Sequence, residues 1–261
     1  MIRFFDKKDK YAAISLWKEA FGDNEKTIST FLDRFGEDML VADEENTVVS
    51  MLTLFPVKIR DKRGRYVYAV ATKKEFRDKG FAGSLIEYAK RFIEKNDENF
   101  LTILPQSDSL YGFYAKFGFS ELKCVKRIDI TVSFAEDSNI KAKKITALEY
   151  YEYRKGYFAD KKYVEWSAEM FNFFEKIYAG CYLKLSNGGK DIGYAFCYSD
   201  DDKVVISELL TVGEETEILS EIGRFFGKKH IVGVKESENG ERFAMIYPKE
   251  LNGCYFGIGM N

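Results

Sequence analysis

Between residues 66 and 83 the chain reads YVYAVATKKEFRDKGFAG, and these residue types suit the capture of an anion. Arg77 and Lys79 bring positive charge, while Gly80 and Gly83 carry no side chain to keep an anion's oxygens from the backbone. From Phe81 the apolar residues fall at 81, 82, 85, 86, 89, 92 and 93, the stripe of an amphipathic helix. Residues 66–72 are β-branched and aromatic, as a strand requires. Strand, polar loop and helix in that order aim the helix's unpaired first amides and its positive dipole end at one point. Phosphate or pyrophosphate is the ligand such a point accepts. Further on, Leu110 to Phe119 reads LYGFYAKFGF and places two phenols, Tyr111 and Tyr114, three residues apart on neighbouring helical positions.

These two stretches carry a resemblance. Arg77-Asp78-Lys79-Gly80-Phe81-Ala82 matches the Q/R-x-x-G-x-G/A signature of the GNAT N-acetyltransferases, and a strand ending Val70-Ala71-Thr72 precedes it. Tyr114-Ala115-Lys116-Phe117-Gly118-Phe119 matches the family's Y-x-K-x-G-F element at a suitable distance downstream. The resemblance implies direct transfer: an amine attacks the thioester of acetyl-CoA, an oxyanion forms and the thiolate leaves. It implies that the backbone at Val70, Ala71 and Thr72 holds the pantetheine arm and offers an amide to the thioester carbonyl. The amides of Asp78, Lys79, Gly80, Phe81, Ala82 and Gly83 would bind the pyrophosphate, with charge added by Arg77 and Lys79. Tyr114 stands where the family keeps its general acid. Tyr111 is the rival, and a plain core aromatic is the alternative in a chain with 17 tyrosines. The base is not named by the sequence: Asp108, Glu75 and the acids near Glu37 are near the motifs, and each also reads as a solvated surface group. His230, the one histidine, reads as structural.

Composition narrows the classes. At 261 residues, with 46% hydrophobic and 16% aromatic content, the chain has material for one large or two ordinary packed domains. Forty basic and 42 acidic residues leave a net charge of −2 and no basic stripe, which disfavours nucleic acid. The four cysteines, Cys124, Cys181, Cys197 and Cys254, are widely spaced, so with a single histidine no metal site is expected. They read as reduced, mostly buried thiols of a cytoplasmic protein. No apolar run is long enough for a signal peptide or a membrane span.

The elements that position the two motifs can be read in order. Helices are expected over 9–21 and 27–35, then strands over 39–42, 47–59 and 66–72, the motif helix, a strand at 101–104, a short helix over 110–117 and a strand over 122–134. The strands at 66–72 and 101–104 would diverge to form an acyl-CoA slot. Residues 135–145 are polar and read as a linker. Thr146 to Glu149 has capping-box spacing, opening a helix to about residue 157, followed by another over 161–178. Strands at 181–186, 191–199 and 203–212, a helix at 214–227 and strands at 230–235 and 242–247 repeat the order of the first half.

The expected fold is therefore α/β (α+β): two GNAT-like lobes, each a mixed, mostly antiparallel sheet flanked by helices. Residues 1–135 form the catalytic lobe with the acyl-CoA site and 136–261 a degenerate lobe. Its counterpart of the phosphate loop, Leu209 to Glu215, is acidic and lacks Arg-x-x-Gly, so it would repel a pyrophosphate. Tandem lobes of this kind resemble the Eis-like acetyltransferases without their third domain. In that family the C-terminal carboxylate serves as base, which here would be Asn261. The acceptor is expected to be an amine-bearing small molecule or peptide, with neither nucleic acid nor membrane as partner and the oligomeric state open. The competing readings are a non-catalytic acyl-CoA-binding or regulatory module, and transfer of a longer acyl group.

Overall fold

The computed structural model describes residues 1–45, 47–134, 138–211 and 215–259. The chain gathers into two compact units, Met1–Glu121 with Ala244–Asn252, and Leu122–Phe243 with Gly253–Asn261. Residue 135, the boundary drawn from sequence, lies outside the described residues, as do Asn261 and three residues of the acidic loop, 212–214.

The first unit opens with a strand that the sequence reading overlooked, β1 (Ile2–Phe4), too short to show a pattern. Helix α1 (Lys10–Phe21) follows and stops at Gly22, which takes the left-handed conformation (φ +78°) and returns its N–H to the Lys18 carbonyl. Helix α2 (Glu25–Phe35) begins where the Asn24 side chain accepts the Thr27 amide at 2.9 Å. Strands β2 (Met39–Glu44), β3 (Thr47–Ile59) and β4 (Lys62–Thr72) form an antiparallel meander. Helix α3 (Phe81–Lys95), strand β5 (Phe100–Ile103) and helix α4 (Asp108–Ala115) complete the expected order.

Both faces of this sheet are apolar. On one, α3 lays Leu85, Ile86, Ala89 and Ile93 onto Leu52, Leu54, Val67, Leu101 and Ile103. Removing a single buried leucine there, such as Leu85, would cost about 2–5 kcal/mol. The other face is aromatic: Trp17 lies 4.6 Å from Phe31, and Phe35 4.9 Å from Phe55, between ring centroids.

The second unit contains β6 (Ser120–Thr131), β7 (Ile140–Ile145), α5 (Ala147–Tyr157), α6 (Ala168–Ile177), β8 (Cys181–Asn187), β9 (Lys190–Asp200), β10 (Lys203–Thr211), α7 (Glu215–Phe226) and β11 (His230–Glu236), while the last strand, β12 (Glu241–Tyr247), passes into the first unit at Ala244. Its strands run in the order β6-β11-β10-β9-β8-β7. Two expectations fail here. The polar stretch read as a linker contains β7, which pairs with β8 and is the last strand of the row. Three lysines, Lys141, Lys143 and Lys144, protect that edge and hide its alternation from a sequence reading. The helix expected from residue 161 begins only at Ala168. Ahead of it the chain is extended, because Val164 donates to the Tyr255 carbonyl and Tyr255 to the Lys162 carbonyl, both at 2.8 Å. The capping box at Thr146 and Glu149 forms as expected.

The second unit's core holds an ion pair. Arg154, 1% exposed, meets the carboxylate of Glu208, 0% exposed, at 2.9 Å, and Tyr150 donates to the same carboxylate at 2.8 Å.

The last strand serves the first unit. Met245, Ile246 and Tyr247 of β12 pair antiparallel with Ile103, Thr102 and Leu101 of β5, and Thr102 donates its hydroxyl to the Met245 carbonyl at 2.9 Å. The first unit's sheet thus runs β1-β2-β3-β4-β5-β12, mixed and mostly antiparallel.

Candidate functional site

Strands β4 and β5 run parallel, but their ladder covers only Gly64–Val67 against Phe100–Ile103. Beyond Val67 the ladder stops, because β5 ends at Ile103. On the other side of β4 the register with β3 shifts between Met51 and Thr53, and there Ala69 adopts φ +52°. A bulge of this kind bends a strand and re-aims the backbone beyond it. From residue 68 to Thr72, β4 runs on past the end of its ladder with β5.

At the head of α3 the loop makes two left-handed turns, at Asp78 (φ +62°) and Gly80 (φ +83°). Ser84 is the first amide of the helix with an internal acceptor, the Gly80 carbonyl at 2.9 Å. Among the described residues, the amides from Asp78 to Gly83 have no partner, so they and the helix dipole present positive potential outward. Phe81 and Ala82 are half-buried in the first turn, with Phe81 edge-on to Phe76 at 6.1 Å. Arg77 turns back and donates to the Thr72 carbonyl at 3.3 Å, tying the loop to the end of β4. Lys79 places its ammonium 4.5 Å above the Phe76 ring.

The two glycines differ in purpose. A Cβ on Gly80 would meet nothing within 4 Å, so its need is conformational and its surroundings stay open. A Cβ on Gly83 would lie 2.8 Å from the tip of Phe117, so this glycine lets α3 approach the segment after Tyr114.

Tyr114 lies inside the first unit's core, 3% exposed, beside Phe113 and Phe119 at 5.1 and 5.9 Å. Burial pushes its phenol above the ordinary value, which keeps the proton on the oxygen. Tyr111 is also buried. Glu37, Glu75 and Asp108 all face solvent. His230 belongs to the second unit, where its ring nitrogen meets Asp129 at 2.9 Å.

The sequence reading missed three contributors. Ser50, fully buried, donates its hydroxyl to the Ala71 carbonyl at 2.8 Å and lies 2.7 Å from the Thr72 hydroxyl. A lone serine inside the apolar run VVSMLTLF was the available signal. Glu19 accepts the Lys74 amide at 2.8 Å and fixes the start of the loop from α1. Residues 244–247 complete the sheet from the far end of the sequence, which no local pattern announces.

All four cysteines are buried. Desolvation pushes the Cys124 thiol up to about 11 and that of Cys254 to about 12, so neither is a ready nucleophile. Among the described residues, no cluster of three or more His, Cys, Asp or Glu side chains is arranged to hold a metal, and no helix is long and apolar enough to cross a membrane.

Residues 1–122 match a family model described as an acetyltransferase (GNAT) domain. A search of curated proteins finds no match. Among solved structures, a conserved Enterococcus faecalis protein described as a probable N-acyltransferase superposes with TM-score 0.72 at 14% identity, over 97% of this chain and 73% of that one. A putative acetyltransferase from Pyrococcus horikoshii gives 0.66 at 14%, over 100% and 94%. Eis1 from Mycobacterium abscessus gives 0.61 at 11%, over 94% and 73%. At these identities the structures establish the fold.

Proposed function

We propose, from a chain whose first 122 residues match a GNAT acetyltransferase domain model, that this protein moves an acetyl group from acetyl-CoA to a primary amine. The observation that carries the reading is the stretch of β4 that continues past its ladder with β5 at Val67, next to a loop of unpaired amides at the head of α3. An extended arm needs the strand edge, a pyrophosphate needs the amides, and here the two are consecutive in the chain. The donor, when bound, supplies the activated acyl group.

The roles of the chain's own residues follow. Amides of Asp78 to Gly83 hold the pyrophosphate, with the Arg77 and Lys79 charges nearby. The main chain at Val70, Ala71 and Thr72 aligns the pantetheine arm, and a β4 amide stabilises the negative charge that develops on the carbonyl oxygen. Ser50 stiffens this edge through Ala71 and Thr72. Tyr114 delivers its proton to the departing sulfur, and the phenol is restored from solvent. The nitrogen forms its bond to the acyl carbon as the carbon–sulfur bond breaks, and the nitrogen's surplus proton leaves to water.

The second unit, lacking an Arg-x-x-Gly loop, contributes no second donor site, giving one site per chain. The expected acceptor is a small molecule or peptide bearing a primary amine.

Calorimetry with acetyl-CoA, followed by CoA release across polyamines, aminoglycosides and lysine-containing peptides, tests the proposal. One equivalent bound together with amine-dependent release supports it. Binding without release across the panel would reassign the protein as an acyl-CoA-binding module, and no binding would remove the site altogether.

A further inference from the structure

We infer that Tyr247, supplied by β12 from beyond the second lobe's helices, is a positioning residue that locks the Tyr114 helix against the phosphate-loop helix. The inference rests on the assignment of Tyr114 as proton donor and names what holds it there.

Tyr247 is the point where three parts of the candidate site meet. Through the backbone it pairs with Leu101 of β5, the strand that runs beside β4. The Lys90 ammonium of α3 lies 4.8 Å above the ring's centroid, the helix whose first turn carries the open amides. On another side the ring lies 5.8 Å from Phe119 and 3.4 Å from where a Cβ on Gly118 would stand. Gly118 takes φ +84°, closing the turn after α4. Phe119 in turn lies 5.9 Å from Tyr114, and its amide donates to the Tyr114 carbonyl at 3.4 Å. One ring therefore touches both α3 and the turn that follows Tyr114.

Such a ring matters because α4 has only eight residues and no side-chain cap at its start. A helix of that length is marginal without tertiary support. The loop and the donor are also carried on separate elements, so an error in their spacing falls directly on the distance between the phenol and the leaving sulfur. A misplacement of about 1 Å costs up to ~100-fold in rate. A cation over an aromatic face combined with ring-to-ring contact holds direction as well as distance.

The test uses Tyr247→Ala, Tyr247→Phe, Tyr114→Phe and the double variant Tyr247→Ala/Tyr114→Phe in the full chain. Hydrogen exchange on the ligand-free proteins is read first. Tyr247→Ala should speed exchange in residues 108–119 while α2 amides stay as in the parent, and Tyr247→Phe should restore protection. Turnover is then measured as CoA release from acetyl-CoA with the fastest amine of the panel, alongside acetyl-CoA affinity by calorimetry. Tyr247→Ala should lower kcat roughly tenfold to a hundredfold and leave affinity within about twofold, with Phe close to the parent. In the Tyr114→Phe background the same change should cost nothing further, because the proton it positions is gone.

Unchanged exchange at 108–119 overturns the inference, as does an additive loss of kcat in the double variant. If Tyr114→Phe alone turns over normally, the donor assignment fails and the inference falls with it. If Tyr114→Phe is slow and Tyr247→Ala is not, the donor assignment stands and only the role of Tyr247 is lost.

Discussion

Gly83 of α3 and Phe117 of the turn after α4 touch so closely that a single added carbon would not fit: a Cβ on the glycine stands 2.8 Å from the ring's tip. The two short motifs recognised in the sequence are thus in physical contact, and the second glycine of the loop has a packing duty. Gly83→Ala should destabilise the protein by about 1–3 kcal/mol, read from the midpoint of a urea titration. Pairing it with Phe117→Leu should recover part of that loss. Unaltered stability in Gly83→Ala would mean the helices are spaced more widely than described.

Gly80 should respond differently. Its φ of +83° and open surroundings make Gly80→Ala a backbone penalty of about 1–2 kcal/mol, without a steric one. Gly80→Asp adds a carboxylate beside the open amides and should abolish acetyl-CoA binding in a protein that still folds. Calorimetry on both variants separates strain from charge, and undiminished affinity in Gly80→Asp would sink the phosphate-loop assignment.

For Tyr114→Phe the expected loss is about 10²–10⁴ in kcat, with acetyl-CoA affinity retained. Since burial raises the phenol above its usual value, loss of the donor's proton cannot limit activity below about pH 10. A pH–rate profile whose alkaline limb falls near neutrality, and which Tyr114→Phe abolishes, would contradict this.

Asp9 predicts how the first unit responds to acid. Its carboxylate receives two bonds from Arg3, at 2.6 and 2.9 Å, and one from the Asp6 amide at 2.8 Å. The bond from Arg3 is the main reason its pKa lies below the ordinary 3.8. A carboxylate depressed on folding contributes stability that is fully present above the unfolded value and is lost as pH falls through the depressed one. Asp9→Asn should therefore lower stability at neutral pH and flatten its decline below about pH 4, measured by thermal melting at stepped pH.

In the second unit, Glu208→Gln leaves the Arg154 guanidinium buried without its counter-charge and should cost about 3–5 kcal/mol. Replacing both partners by leucine and methionine should cost far less. Gly257→Ala should also unfold this core, since a Cβ there collides with the Glu208 carboxylate and Arg154. A fully stable Gly257→Ala chain would show that this carboxylate is not where it is described.

Much of this fold could be read in the residues, for identifiable reasons. The long apolar stripe of α3 and the aromatic strands before it have strong periods. Arg77, Gly80 and Tyr114 lie in local motifs, whose geometry depends on neighbours in sequence. What escaped depends on distant partners. Three lysines masked β7 because an edge strand can carry charge on its free side. Residues 161–167 have helix-forming content, but Tyr255 captures their backbone hydrogen bonds. Ser50 could be seen as a polar residue in a strand, yet its target carbonyl at Ala71 could not. The β12 strand was expected at nearly its observed place, while its pairing with β5 was not.

That pairing sets an order of events during synthesis. Thr102 and Met245, joined by a hydrogen bond, are 143 residues apart. A ribosome adding ~5–20 residues per second needs roughly ten seconds or more to span such an interval. Throughout it the β5 edge of the nascent first lobe waits uncovered, and most of the second lobe emerges before the closing strand does. An interrupted or prematurely terminated product would carry both recognition motifs and still lack the strand that seals them, a candidate for chaperone capture or degradation rather than for catalysis.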